Sequence, residues 1–202
     1  MNYEENEAFT HAIETANLIL GYENKFPIDI KGIINNDPYV ELFTFGEFAK
    51  LTGVSRSEVS KIGQSYEAFH FRKGRKSIIV YNALRYSKRL RFTLAHEYGH
   101  VKLNHTGESI YDSVKSDIEY TREEFEADTF AGNLLFPLHK RYEYRRKSSY
   151  EIANTFNISF KAVRVSMCQL EYCLASGIDQ YLTEPQLRTL DGYINFLRAC
   201  DF

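Results

Sequence analysis

Residues 92–105 read FTLAHEYGHVKLNH, and they hold three of the chain's six histidines. Positions four apart on an α-helix stand one turn above each other, so a helix here brings His96 and His100 to one face. Two imidazoles at that spacing can reach a single metal ion, and Glu97 stands next to the first of them. Zn2+, one ion per chain, is the ion this donor type implies, and it lowers the pKa of water toward about 7. Glu97 is then the expected catalytic base, taking the water's proton and returning it to the leaving amine.

A catalytic zinc takes a third protein ligand and keeps one position open. Residues 121–137, TREEFEADTFAGNLLFP, offer Glu124 and Asp128, again four apart, on a second helical pattern that can fold back against the first. Glu124 is the expected third ligand. Asp128, one turn on, is expected to accept the ring N–H of a ligating histidine and so fix its tautomer. Glu123 and Glu126 compete for the ligand role, but Glu123 lies roughly 100° from Glu124, and Glu126 roughly 160° from Asp128, around the helix. Only one of the three can share Asp128's stripe.

His105 falls five residues after His100, roughly 140° away on an ideal helix, which places it outside the ligand set. It reads as a helix-end histidine on terminal carbonyls, or as a contact to a ligand or substrate. His11, His70 and His139 stand alone in the sequence and read as structural or solvent-exposed. Gly99 costs a helix roughly 1 kcal/mol against alanine, so something is expected to pack closely there. For the donor that stabilises a tetrahedral oxyanion, or a substrate contact, the candidates are Tyr98, Tyr81 and His105, and spacing favours none of them.

Around these blocks the chain reads as mostly helical. Residues 6–20 carry apolar side chains at helical spacing, with Gly21 as a stop. FGEFAKLTGVSRSEVSKIG, residues 45–63, has the pattern of a helix-turn-helix with its turn at Gly53 and Ser55 as an N-cap. The alternating stretch from Ala68 and the β-branched SIIVYN, residues 77–82, read as a hairpin whose second strand is expected at a sheet edge, where it could pair with an extended substrate. A polar stretch over 106–117 precedes a helix over about 118–135 that stops at Pro137, and helices follow over 150–156, over 160–174 and from near Pro185.

A net charge of −2 gives no general attraction to nucleic acid, so direct DNA binding is not expected. The basic runs Arg85, Lys88, Arg89, Arg91 and Lys140, Arg141, Arg145, Arg146, Lys147 read as solvated faces. The opening MNYEENEAF is acidic, without the basic start and apolar run of a signal peptide, and no stretch is a spanning helix. A cytoplasmic place with no membrane partner is expected, and the three cysteines read as reduced core thiols.

RFTLAHEYGHVKLNH followed by EEFEADTFAGNLLFP resembles the ImmA/IrrE family of metallopeptidases, with looser similarity through IIVYN and through SSYEIANTFNISFKAVRVSMCQLEYC. The resemblance implies an α+β, zincin-like peptidase core over 1–142, with the 45–63 segment inside it, and a helical C-terminal element over 143–202. It also implies a zinc endopeptidase whose substrate is a helix-turn-helix transcriptional repressor, with His96, His100 and Glu124 as ligands and Glu97 as base. The alternative is a DNA-binding or repressor- or toxin-binding regulator with a non-catalytic metal site.

Overall fold

The computed structural model describes residues 3–21, 25–105 and 121–199. The polar stretch expected over 106–117 lies outside them, as does the start of the helix expected from 118. The fold is α+β, mostly helical with one small sheet. Two compact units are present, residues 29–131 and residues 1–28 with 132–202. α1 (Tyr3–Leu20) belongs with the C-terminal helices in the second of these.

Unit 29–131 is built on three strands, β1 (Val40–Thr44), β2 (Ala68–Lys73) and β3 (Lys76–Tyr81), in the order β1-β3-β2. β3 runs parallel to β1 and antiparallel to β2. The strand expected at the edge is therefore the central one. A tight Gly74 turn gives β3 one neighbour and the crossover from β1 gives it another, so its ladder groups are already used; β2 is the outer strand nearer the histidines.

Strand alternation sorts side chains to the two faces of this sheet. Phe43, Phe69, Phe71, Ile78 and Val80 fall on one face and pack with Phe45, Phe48, Ala49 and Val59 of α3 (Phe45–Thr52) and α4 (Arg56–Ile62). Each of these short helices opens with a capping box, Thr44 with Glu47 and Ser55 with Glu58, and Gly53 links them at a φ of 75°. Reciprocal caps satisfy the free N–H groups that a helix of two turns could not otherwise carry. His70 falls on the opposite face, toward α5 (Ser87–Lys102), which packs on β2 and β3. α2 (Ile30–Asn35), capped by Asp29, packs against both β1 and α5.

α5 stops because Asn104 adopts a left-handed φ of 55°, a conformation that asparagine tolerates better than other side chains. α6 (Arg122–Leu135) stops just short of Pro137, whose ring restricts the preceding residue to extended backbone.

The second unit holds α1, then α7 (Leu138–Glu143), α8 (Ser149–Thr155), α9 (Phe160–Ser176), a 3-10 turn (Ile178–Tyr181) and α10 (Glu184–Ala199). Phe9 packs edge-on against Tyr172 and Tyr181, and Asn133 bonds Asn17, which in turn accepts from Gln186. Arg141 does not belong to a solvated basic face. It is fully buried, its Nε donating to the Phe136 carbonyl at 2.7 Å and Nη1 to Gln169 at 2.8 Å, and burial pulls its pKa down to about 10. His139 is also buried, which pulls its pKa down to about 4, whereas His11 is exposed. Among the described residues no helix is long and apolar enough to cross a membrane.

Candidate metal centre

The site forms where α5 crosses α6. Gly99 permits that crossing: a Cβ there would stand 2.8 Å from Phe130 Cδ1 and 3.3 Å from the Ala127 carbonyl oxygen. Phe130 is fully buried and its ring edge also meets Tyr98, so it has little room to yield. Gly99→Ala is therefore expected to lose about 1–3 kcal/mol to overpacking, against about 1 kcal/mol gained in helix propensity. A chemical denaturation curve for that variant, with an expected net loss of up to about 2 kcal/mol, checks the close approach.

Across this contact the donor atoms of His96, His100 and Glu124 all lie within 4.8 Å of one another. His96 Nε2 is 3.0 Å from His100 Nε2 and 3.3 Å from Glu124 Oε2, and His100 Nε2 is 3.6 Å from Glu124 Oε1. Nitrogen donors about 2.0–2.1 Å from a tetrahedral ion stand about 3.3 Å apart. The observed spacings match that geometry to within a few tenths of an ångström. His100 forms the buried floor, and Glu124, its side chain 45% exposed, forms the solvent-facing rim.

The outer ring nitrogens decide which protons these histidines carry. His96 Nδ1 lies 2.9 Å from Asp128 Oδ1, so its N–H donates there and Nε2 keeps its lone pair. His100 Nδ1 lies 2.9 Å from His105 Nδ1, and His105 Nε2 lies 2.7 Å from Glu126 Oε2. The Glu126 carboxylate can only accept, so His105 donates from Nε2 and accepts at Nδ1. His100 must then donate from Nδ1, which leaves its Nε2 lone pair facing inward. Two lone pairs and a carboxylate thus converge, an arrangement that repels itself unless a cation is shared among them.

A proton can play that part. Burial opposes a charge on His96, but hydrogen bonds to Asp128 and Glu124 and the nearby Glu97 carboxylate outweigh it and raise its pKa to about 10. Burial, then repulsion from His96, His70 and His105, drives His100 down to about 2. The hydrogen bond from His96 holds Glu124 below the usual carboxylate range. The same three donors fit a divalent metal, whose binding would displace the His96 proton.

Glu126 does not join the ligand atoms. Burial disfavours its charge, yet hydrogen bonds from His105 and Arg122 hold it ionised. His105 turns inward rather than to helix-end carbonyls, because the left-handed Asn104 ends the ideal helix on which its 140° offset was reckoned.

Two of the oxyanion candidates make other contacts. Tyr98, two residues from both His96 and His100 and so on the far side of α5, donates its hydroxyl to Asp37 at 3.0 Å. Burial and the Asp37 carboxylate push its pKa well above the usual tyrosine value. Tyr81 is buried at the end of β3, with the Lys31 ammonium 4.9 Å above its ring. His105, between His100 and Glu126, has both ring nitrogens engaged.

His70 is the site residue that the sequence reading missed. Its Nδ1 lies 2.7 Å from Glu97 Oε2, and its ring stacks on His100 with centroids 5.0 Å apart. The signal was available in FHFRKG: if Phe69 and Phe71 face one core, His70 faces away from it, toward whatever covers the other face of the sheet.

Comparison with curated proteins gives no match to this chain. A protein-family model, described as the IrrE N-terminal-like domain of peptidase family M78, matches residues 48–167, which include β2, β3, α5 and α6 and every residue of the donor cluster. With its HExxH helix crossed by a second helix that supplies the acidic donor, the chain belongs to the M78, IrrE-like family of metallopeptidases, with the α+β zincin-like fold of that group.

Proposed function

We propose that this protein is a single-zinc endopeptidase in which His96, His100 and Glu124 hold the metal and Glu97 is the general base. The convergence of exactly these three donors, with a rim open to solvent, carries the reading. A structural zinc takes four protein ligands, and the group found among the described residues has three, which supports a catalytic site over a structural one. When bound, the ion would polarise the scissile carbonyl and acidify water. Glu97 accepts the proton from that water and then delivers it to the leaving nitrogen. Asp128 holds His96, and Glu126 acting through His105 holds His100, so that each presents Nε2 to the metal.

The substrate we propose is a helix-turn-helix transcriptional repressor governing a mobile element, a prophage or a stress response, cut at a specific site in the cytoplasm. This rests on the family membership, as does the division into a peptidase core and a helical C-terminal element. Co-expression with a helix-turn-helix repressor from the same genome is expected to yield discrete repressor fragments. Intact repressor that nonetheless co-purifies with the protein would favour a binding regulator over a protease.

A further inference from the structure

The peptidase reading assigns no task to His70, although it joins the sheet to the base. We infer that His70 is a positioning residue for Glu97, fixing which carboxylate oxygen is free to take a proton; the inference rests on the reading of Glu97 as the base.

Three observations carry it. The Nδ1 to Oε2 distance of 2.7 Å is that of a charge-assisted hydrogen bond, and both side chains are largely enclosed, 16% and 12% exposed. Among the described residues the buried His70 Nε2 has no hydrogen-bond partner, so of these residues only Glu97 engages the ring's polar edge. The ring also stacks on His100 at 19° between planes. One imidazole thus touches both the base and a ligand from β2, an element outside the two helices that supply the donors.

The chemistry follows from the proton count. An ionised Glu97 can only accept, so His70 donates from Nδ1 and its bare Nε2 is the buried, unpartnered atom. With Oε2 engaged, Oε1 is left to take the proton from water and pass it to the leaving nitrogen. His70 keeps its own proton throughout. Its contribution is orientation, which limits the carboxylate to one rotamer and one active oxygen.

Two substitutions separate donor from ring. His70→Phe keeps a ring over His100 and removes the donor; His70→Asn keeps an N–H near the Nδ1 position and removes the ring. In the full-length protein, nitrogen-15 NMR of the imidazoles, with His70 identified by its loss in the Phe variant, is expected to show the Nδ1–H tautomer. The Nε2–H tautomer would overturn the inference. Zinc affinity, measured against a competing chelator, is expected to stay within about threefold of wild type in both variants, since His70 is not a ligand; a tenfold loss would show that it acts through His100 instead.

Cleavage of the repressor fragmented on co-expression is expected to fall about 10- to 100-fold in kcat for His70→Phe, with KM nearly unchanged, and to recover within about fivefold for His70→Asn. Wild-type turnover in the Phe variant, or an Asn variant as slow as Phe, sinks the positioning role alone. A wild-type protein that binds zinc and cuts nothing sinks the peptidase reading and this inference with it.

Discussion

Glu97→Gln is expected to keep its zinc and lose about two to four orders of magnitude in cleavage rate, the range that a positioned general base contributes. Glutamine has nearly the shape of glutamate, and its amide oxygen can still accept from His70 Nδ1, so the 2.7 Å contact and the packing around it are preserved. The variant loses the ability to take up a proton at the pH of the cell. Metal content of the purified variant, set beside repressor fragments in the co-expression assay, separates the two effects. Retained proteolysis would remove Glu97 from its role, and loss of zinc together with cleavage would recast it as part of the metal's support.

The second large effect is expected on affinity rather than rate. His105→Leu is predicted to weaken zinc binding about 10- to 100-fold, the usual cost of removing the partner that orients a ligating histidine. Leucine fills the space, but His100 Nδ1 loses its acceptor and its ring is free to turn. His105→Gln makes the sharper comparison. Its amide carries an acceptor for His100 and a donor for Glu126, so most of the affinity is expected to survive. Chelator competition reads the affinities, and circular dichroism of the metal-free proteins shows whether either substitution disturbs the fold. Equal binding by wild type and His105→Leu would leave the relay without a function.

The residues readable in sequence were those related by one regular period. His96 and His100 were legible through helical spacing, as were Glu124 and Asp128, and choosing Glu124 over Glu123 and Glu126 needed only the angle around one helix. The capped pair α3–α4 was legible because Ser55 and Gly53 mark its turn chemically. What escaped depended on a break in period or on the assembly of separate elements. An ideal helix extended past Asn104 carries His105 away from His100, but there the chain turns left-handed and swings the imidazole back onto His100. His70 is 27 residues from Glu97 and meets it only once β2 has docked beside α5. β3 is central rather than at the edge because strand order depends on the crossover from β1, to which local alternation is blind.

The absent side chain at Gly99 has a consequence for tuning the site. With Phe130 and the Ala127 carbonyl resting against bare backbone, the bite of the ligand set is ruled by the spacing of two helices. On the proposed reading, trimming or enlarging Phe130 is therefore expected to change which ion the site prefers, from the hydrophobic side of the joint and without altering any of the three donors.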